Sequence, residues 1–152
     1  EVTDIKNLVI NKELKSYVDI RFLDIKNKEL NLNSYKGNLV ILNFWATWCA
    51  PCKDEMPSLD LLTQKPNLNN LKIFPINIGR DTNQKSLIFF EDLEIKNLEI
   101  YFDSPNTLAK KFKLRGLPTT ILFNKDGLEF ARIIGSIDFV DEKFIKWLSN
   151  YN

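Results

Sequence analysis

Apolar positions follow two rhythms along this chain, and each marks a kind of element. Leu39–Phe44 is a short apolar run broken only by Asn43, the pattern of a strand covered on both faces. Leu71–Ile78 reads as a second buried strand. Between them, Ala50–Leu62 places Cys52, Met56 and Leu59 at i, i+4 and i+7. That spacing predicts a helix with Cys52 towards the core and Cys49 at its open N-terminus, kinked where Pro57 removes a donor. Strand, helix and strand together predict a βαβ unit. Upstream, Tyr17–Leu23 alternates, with Val18, Ile20 and Phe22 on one face, and Glu29–Leu32 pairs with it across Asp24–Lys28 as an N-terminal β-hairpin. Ser34–Asn38 reads as a turn. Downstream, helices are expected over Gln84–Leu93, Asn106–Phe112 and Asp138–Asn150, the last with Val140, Phe144, Trp147 and Leu148 on one face. Thr119–Phe123 and Leu128–Ile134 flank Asp126-Gly127, a hairpin signal. Residues 1–16 are polar and weakly patterned, so we expect a loosely attached arm or short helix ahead of an α/β domain over 17–152.

Composition narrows the chemistry. With 152 residues, 44% of them hydrophobic, the chain suits one domain with an ordinary core. A net charge of +1 gives no footprint for nucleic acid, and no apolar run reaches the length of a membrane span. A start at Glu1 rather than Met leads us to expect a processed or trimmed form. Histidine is absent, which excludes Ser-His-Asp and Cys-His catalysis and any imidazole metal ligand. The two cysteines, Cys49 and Cys52, stand in one Cys-Ala-Pro-Cys motif.

A Cys-x-x-Cys pair has four common uses. A structural zinc site or an iron–sulfur cluster lacks its remaining ligands here, and covalent haem attachment needs a histidine where Lys53 stands. Dithiol–disulfide chemistry remains. Its setting is apt: a helix N-terminus offers unpaired N–H groups and the positive end of the dipole, which favour a thiolate, and the thiolate is the nucleophile. Pro51 suits the first turn, where its missing N–H is no loss. Cys52, one turn on, can reach a mixed disulfide formed at Cys49.

The stretch Asn43-Phe44-Trp45-Ala46-Thr47-Trp48-Cys49-Ala50-Pro51-Cys52-Lys53, with Gly116-Leu117-Pro118-Thr119-Thr120 before the hairpin, closely resembles the active site of thioredoxin-fold proteins. Within them it is most similar to the TlpA/ResA/CcmG group of bacterial extracytoplasmic thiol–disulfide oxidoreductases. Ile76–Asp81, Phe89–Asp92 and Tyr101–Asp103 look closest to TlpA. The resemblance covers Tyr17 to the C-terminus. It implies a central mixed sheet flanked by helices, a cis Pro118 facing the cysteines, and an enzyme that needs no cofactor or metal. It further implies a location on the periplasmic face of a bacterial inner membrane, electrons from a membrane thiol transporter, and a monomer that reduces proteins assembling the copper centre of cytochrome oxidase.

Residue by residue, the resemblance makes Cys49 the attacking and Cys52 the resolving cysteine, with Glu55 accepting the Cys52 proton. Trp48, Ala50, Pro51, Leu117 and Pro118 form the substrate-facing set, and Leu117 offers its backbone to an added strand. Asn43 departs from thioredoxin itself, where a buried Asp assists the second cysteine; here it reads as a polar side chain hydrogen-bonded inside the sheet. Trp45 and Trp147 read as core, Lys53 and Arg115 as solvated surface. Two alternatives stand beside this reading. One is an apocytochrome c disulfide reductase of the ResA/CcmG kind. The other is a copper-carrying assembly module, although such modules use Cys-x-x-x-Cys with a distal His. A peroxidase of this fold would carry Thr-x-x-Cys, which the chain lacks.

Overall fold

The computed structural model describes residues 4–103 and 107–152. Eight strands form one sheet: β1 (Leu8–Lys15), β2 (Arg21–Asp24), β3 (Glu29–Asn31), β4 (Leu39–Trp45), β5 (Leu71–Asn77), β6 (Tyr101–Phe102), β7 (Thr119–Phe123) and β8 (Glu129–Ile134). Their order across the sheet is β1-β8-β7-β4-β5-β6-β2-β3. β5 lies parallel to both β4 and β6, and every other pairing is antiparallel. The helices are α1 (Ala50–Leu62), α2 (Asn83–Asp92), α3 (Leu108–Lys111) and α4 (Glu142–Ser149).

β4 sits centrally and is buried along its whole length, as its continuous apolar run predicts. Its period-two alternation feeds two cores. Leu39, Ile41 and Trp45 join α1, α2 and α4 on one face, where Trp45 packs its ring 4.7 Å from Phe89 and 5.3 Å from Phe90. Val40, Leu42 and Phe44 join Phe22, Phe74, Phe112 and Phe123 on the other. The βαβ unit, the β2–β3 hairpin and the β7–β8 hairpin all form as expected. Trp45 and Trp147 are buried, and Lys53 and Arg115 are exposed.

Several expectations need correction. Residues 8–15 are neither a loose arm nor a helix: β1 pairs with β8 at the sheet margin, with a register shift between Ile10 and Lys15. Polar contacts hold it there. Glu129, fully buried, accepts from Tyr17 (2.6 Å), Asn11 (3.0 Å) and Arg132 (2.7 Å). Val18 does not share a face with Ile20 and Phe22 but stands 81% exposed, because Asp19 takes φ +66° and turns the chain just before β2. By contrast, α1 spans Ala50–Leu62 as expected, with Pro57 inside it. The final helix starts at Glu142, not Asp138, since Asp141 caps it by accepting from the Phe144 N–H, leaving Val140 outside. Asn106, the expected start of the third helix, lies outside the described residues, and that helix is assigned over Leu108–Lys111.

Candidate active site

The strands assemble the site at one end of the sheet. β4 runs directly into Ala46–Trp48 and then α1, so its C-terminal end delivers Cys49. β7 is antiparallel to β4 and pairs Thr119 with Phe44, which brings Pro118 to the same end. The Leu117–Pro118 bond is cis, as the resemblance implied. Leu117 packs partly against both cores, and its backbone N–H and C=O enter no hydrogen bond among the described residues.

Cys49 is the N-cap of α1, and its Sγ accepts from the Cys52 N–H at 3.3 Å. The first turn carries no acidic residue to offset the positive end of the helix. The two cysteines are joined as a disulfide with Cα atoms 5.3 Å apart. They are unequal: Cys49 retains 6% exposure and Cys52 none. Ala50 and Pro51 are exposed beside them, and the Trp48 ring is 69% exposed.

Glu55 lies one turn beyond Cys52 and is 2% exposed. Its Oε2 accepts from Asn43 Nδ2 at 2.9 Å and its Oε1 from the Ile137 N–H at 3.3 Å. Burial pushes its carboxyl up to about 7, more than these two hydrogen bonds pull it down. The carboxyl borders an open cavity of about 530 Å³ lined also by Asp54, Ser58 and Ile137, which gives a proton held there a way out to solvent. Asn43 is hydrogen-bonded inside the structure, as its sequence setting suggested.

Sequence reasoning missed a latch on the other side of the cysteines. Asp81, in the loop from β5 to α2, accepts from the Thr47 N–H (2.8 Å), the Thr47 hydroxyl (2.7 Å) and Asn77 Nδ2 (2.9 Å). Partial burial works against its ionisation, but those bonds and the charge of Lys85 hold its carboxyl below the usual range. Gly79, in the same loop, lies against the active-site turn: a Cβ there would collide with Ala46 and stand 2.9 Å from Trp48 Nε1. The loop thus fixes the residues ahead of Cys49. The one available signal was a Gly and an Asp in a strand-to-helix loop, too common to point to a site.

A disulfide at a helix start, with a cis-proline strand end at the same end of a mixed sheet, defines a protein of the thioredoxin class. The chain belongs to the AhpC/TSA family, which matches residues 8–128. It is 30% identical over 132 residues, covering 87% of this chain and 73% of the relative, to a thiol-disulfide oxidoreductase ResA of Bacillus cereus. Solved structures share the fold. A DsbF homologue from Corynebacterium diphtheriae superposes with a TM-score of 0.76 at 22% identity, covering 99% of this chain and 96% of that one. A putative thiol:disulfide interchange protein DsbE from Chlorobium tepidum gives 0.74 at 18% identity, covering 90% and 98%. The chain is accordingly a thiol–disulfide oxidoreductase.

Proposed function

We propose that this protein is an exported reductase of protein disulfides, working without a cofactor through Cys49 and Cys52. The observation that carries the reading is the inequality of the two sulfurs. Cys49 sits at the helix start, partly open and already accepting an N–H, while Cys52 is sealed behind it. In the reduced protein the Cys49 thiolate attacks one sulfur of a substrate disulfide, forming a mixed disulfide and releasing the other sulfur as a thiolate. Glu55 takes the Cys52 proton. The Cys52 thiolate then attacks Cys49 Sγ, and the second substrate sulfur leaves and is protonated from solvent. Two electrons have passed to the substrate, and a dithiol donor, supplied by a membrane thiol transporter, restores the pair. A substrate strand docks on the open backbone of Leu117, with Trp48, Ala50, Pro51 and Pro118 walling the cleft.

The substrate we favour is a cysteine pair in a protein assembling the copper centre of cytochrome oxidase, met on the periplasmic side by a monomer anchored through its N-terminus. The similarity to a relative named ResA favours a second substrate, the Cys-x-x-Cys-His segment of apocytochrome c. Reduction rates on the two peptides, side by side, decide between them. The reading as a reductase is tested by equilibrating Cys49–Cys52 in thiol buffers. A potential near or below about −220 mV supports it, and one near about −120 mV marks an oxidant instead. A Cys52→Ser variant that accumulates no mixed disulfide through Cys49 would defeat the assignment of roles.

A further inference from the structure

Asn43 is a polar residue in the most buried strand of the sheet, fully enclosed at 0% exposure. Both hydrogens of its amide are used: Nδ2 donates to Glu55 Oε2 at 2.9 Å and to Thr120 Oγ1 at 3.0 Å. Its Oδ1 is buried with no partner among the described residues. An orphaned buried acceptor destabilises a fold, and a leucine of similar shape would avoid it. The site therefore bears a penalty for an amide whose value lies wholly in its two donated bonds. One of them runs to the carboxylate a turn past Cys52. The other runs to Thr120, two residues past Pro118, so a single side chain spans the two halves of the active site.

We propose that Asn43 is a positioning residue that favours the ionised form of the buried Glu55 carboxyl and aims it, making it available to take the Cys52 proton. The inference rests on the reading of Glu55 as that proton acceptor and adds what makes the role feasible. Burial alone opposes the charged form, and a hydrogen bond to the charged form opposes burial. Other charged groups cannot substitute. Those bordering the same cavity are Asp54 on α1, Asp4 and Lys6 ahead of β1, and Asp138, Asp141 and Lys143 around the start of α4. None of them is hydrogen-bonded to the Glu55 carboxyl, whose proton affinity burial and its two hydrogen bonds set. The second donor, the Ile137 N–H, stands at a longer 3.3 Å.

The test follows the Glu55 carboxyl carbon and the Asn43 side-chain amide by NMR as the oxidised protein is titrated, a state in which neither cysteine ionises. In the wild type, the Asn43 Nδ2 protons should shift with the same midpoint as the Glu55 carboxyl. An amide that ignores the Glu55 titration overturns the inference, and this arm needs no variant. Asn43→Leu should raise the Glu55 midpoint by about one unit or more. The pH profile for closure of the Cys49–Cys52 disulfide from a Cys49 mixed disulfide, with release of the bound thiol, should move upward with it, while Cys49 alkylation in a Cys52→Ser background stays unchanged. An unmoved midpoint in Asn43→Leu removes the positioning role. Wild-type closure rates at every pH in Glu55→Gln would instead remove the proton role of Glu55 and leave the Asn43 result standing.

Discussion

The perturbed carboxyl of Glu55 makes a prediction about folding that is independent of turnover. Its proton affinity rises from an ordinary 4.5 to about 7 in the folded protein, with burial as the dominant cause. The folded state therefore holds a proton that the unfolded chain gives up as the pH rises. Below 4.5 both states are protonated and Glu55 contributes no pH dependence. Between 4.5 and 7 the fold loses stability as the pH climbs, and above 7 the loss is complete. At about 1.4 kcal/mol per unit, a rise of this size amounts to about 3 kcal/mol. Glu55→Gln keeps the shape without the charge, so it should gain on the wild type by about that amount between pH 4 and pH 8.5. Urea titration of both oxidised proteins at the two pH values isolates the effect, because every other titrating group cancels in the double difference. For a urea slope of about 2 kcal/mol/M, the gap between their midpoints should widen by about 1.5 M on going to pH 8.5. A gap that does not change with pH would refute the reasoning, since the carboxylate would then be as well solvated in the fold as out of it.

Other consequences can be checked alongside. Asp81→Ala removes three hydrogen bonds around Thr47 and should destabilise the protein by about 1–3 kcal/mol while increasing acrylamide quenching of the exposed Trp48. Gly79→Ala should displace the Ala46–Trp48 turn and slow Cys49 alkylation, read directly as a rate. Glu129→Ala strips a fully buried carboxylate from Arg132, Tyr17 and Asn11, and should cost about 3–5 kcal/mol by urea denaturation. Tyr17, which burial and the neighbouring Glu129 raise to about 12, should return towards its usual value of 10.0 in that variant, as followed by ultraviolet absorbance.

The central sheet and the cysteines were legible because their signals are local. Leu39–Phe44 is apolar on both faces whatever surrounds it, and the Cys-Ala-Pro-Cys spacing needs only a helix to give it meaning. Glu55 was singled out through the resemblance, as the glutamate that follows the second cysteine of the motif. β1 was not, because a marginal strand with most of its side chains exposed shows no alternation. What ties β1 and Tyr17 to the sheet is Glu129, which accepts from Asn11 within β1 and from Tyr17, each more than a hundred residues away. Asp81 was hidden for the same reason: its partner Thr47 lies 34 positions away, and only the folded loop brings them together. Asp19 defeated the alternation rule, since one residue with positive φ put Val18 outside the strand that its spacing assigned it to.

The outermost strands carry a consequence for how this protein meets other chains. Sheet margins are where chains fuse into aggregates, and an enzyme acting on protein disulfides meets many such chains. Here one margin, β3, is three residues long, and the other, β1, slips its register midway and carries Lys12, Glu13 and Lys15. Neither offers an even template for a visiting chain. The two flanks of the sheet thus discourage a visiting chain from pairing there, whereas the backbone of Leu117, at the docking place proposed above, has no partner of its own among the described residues.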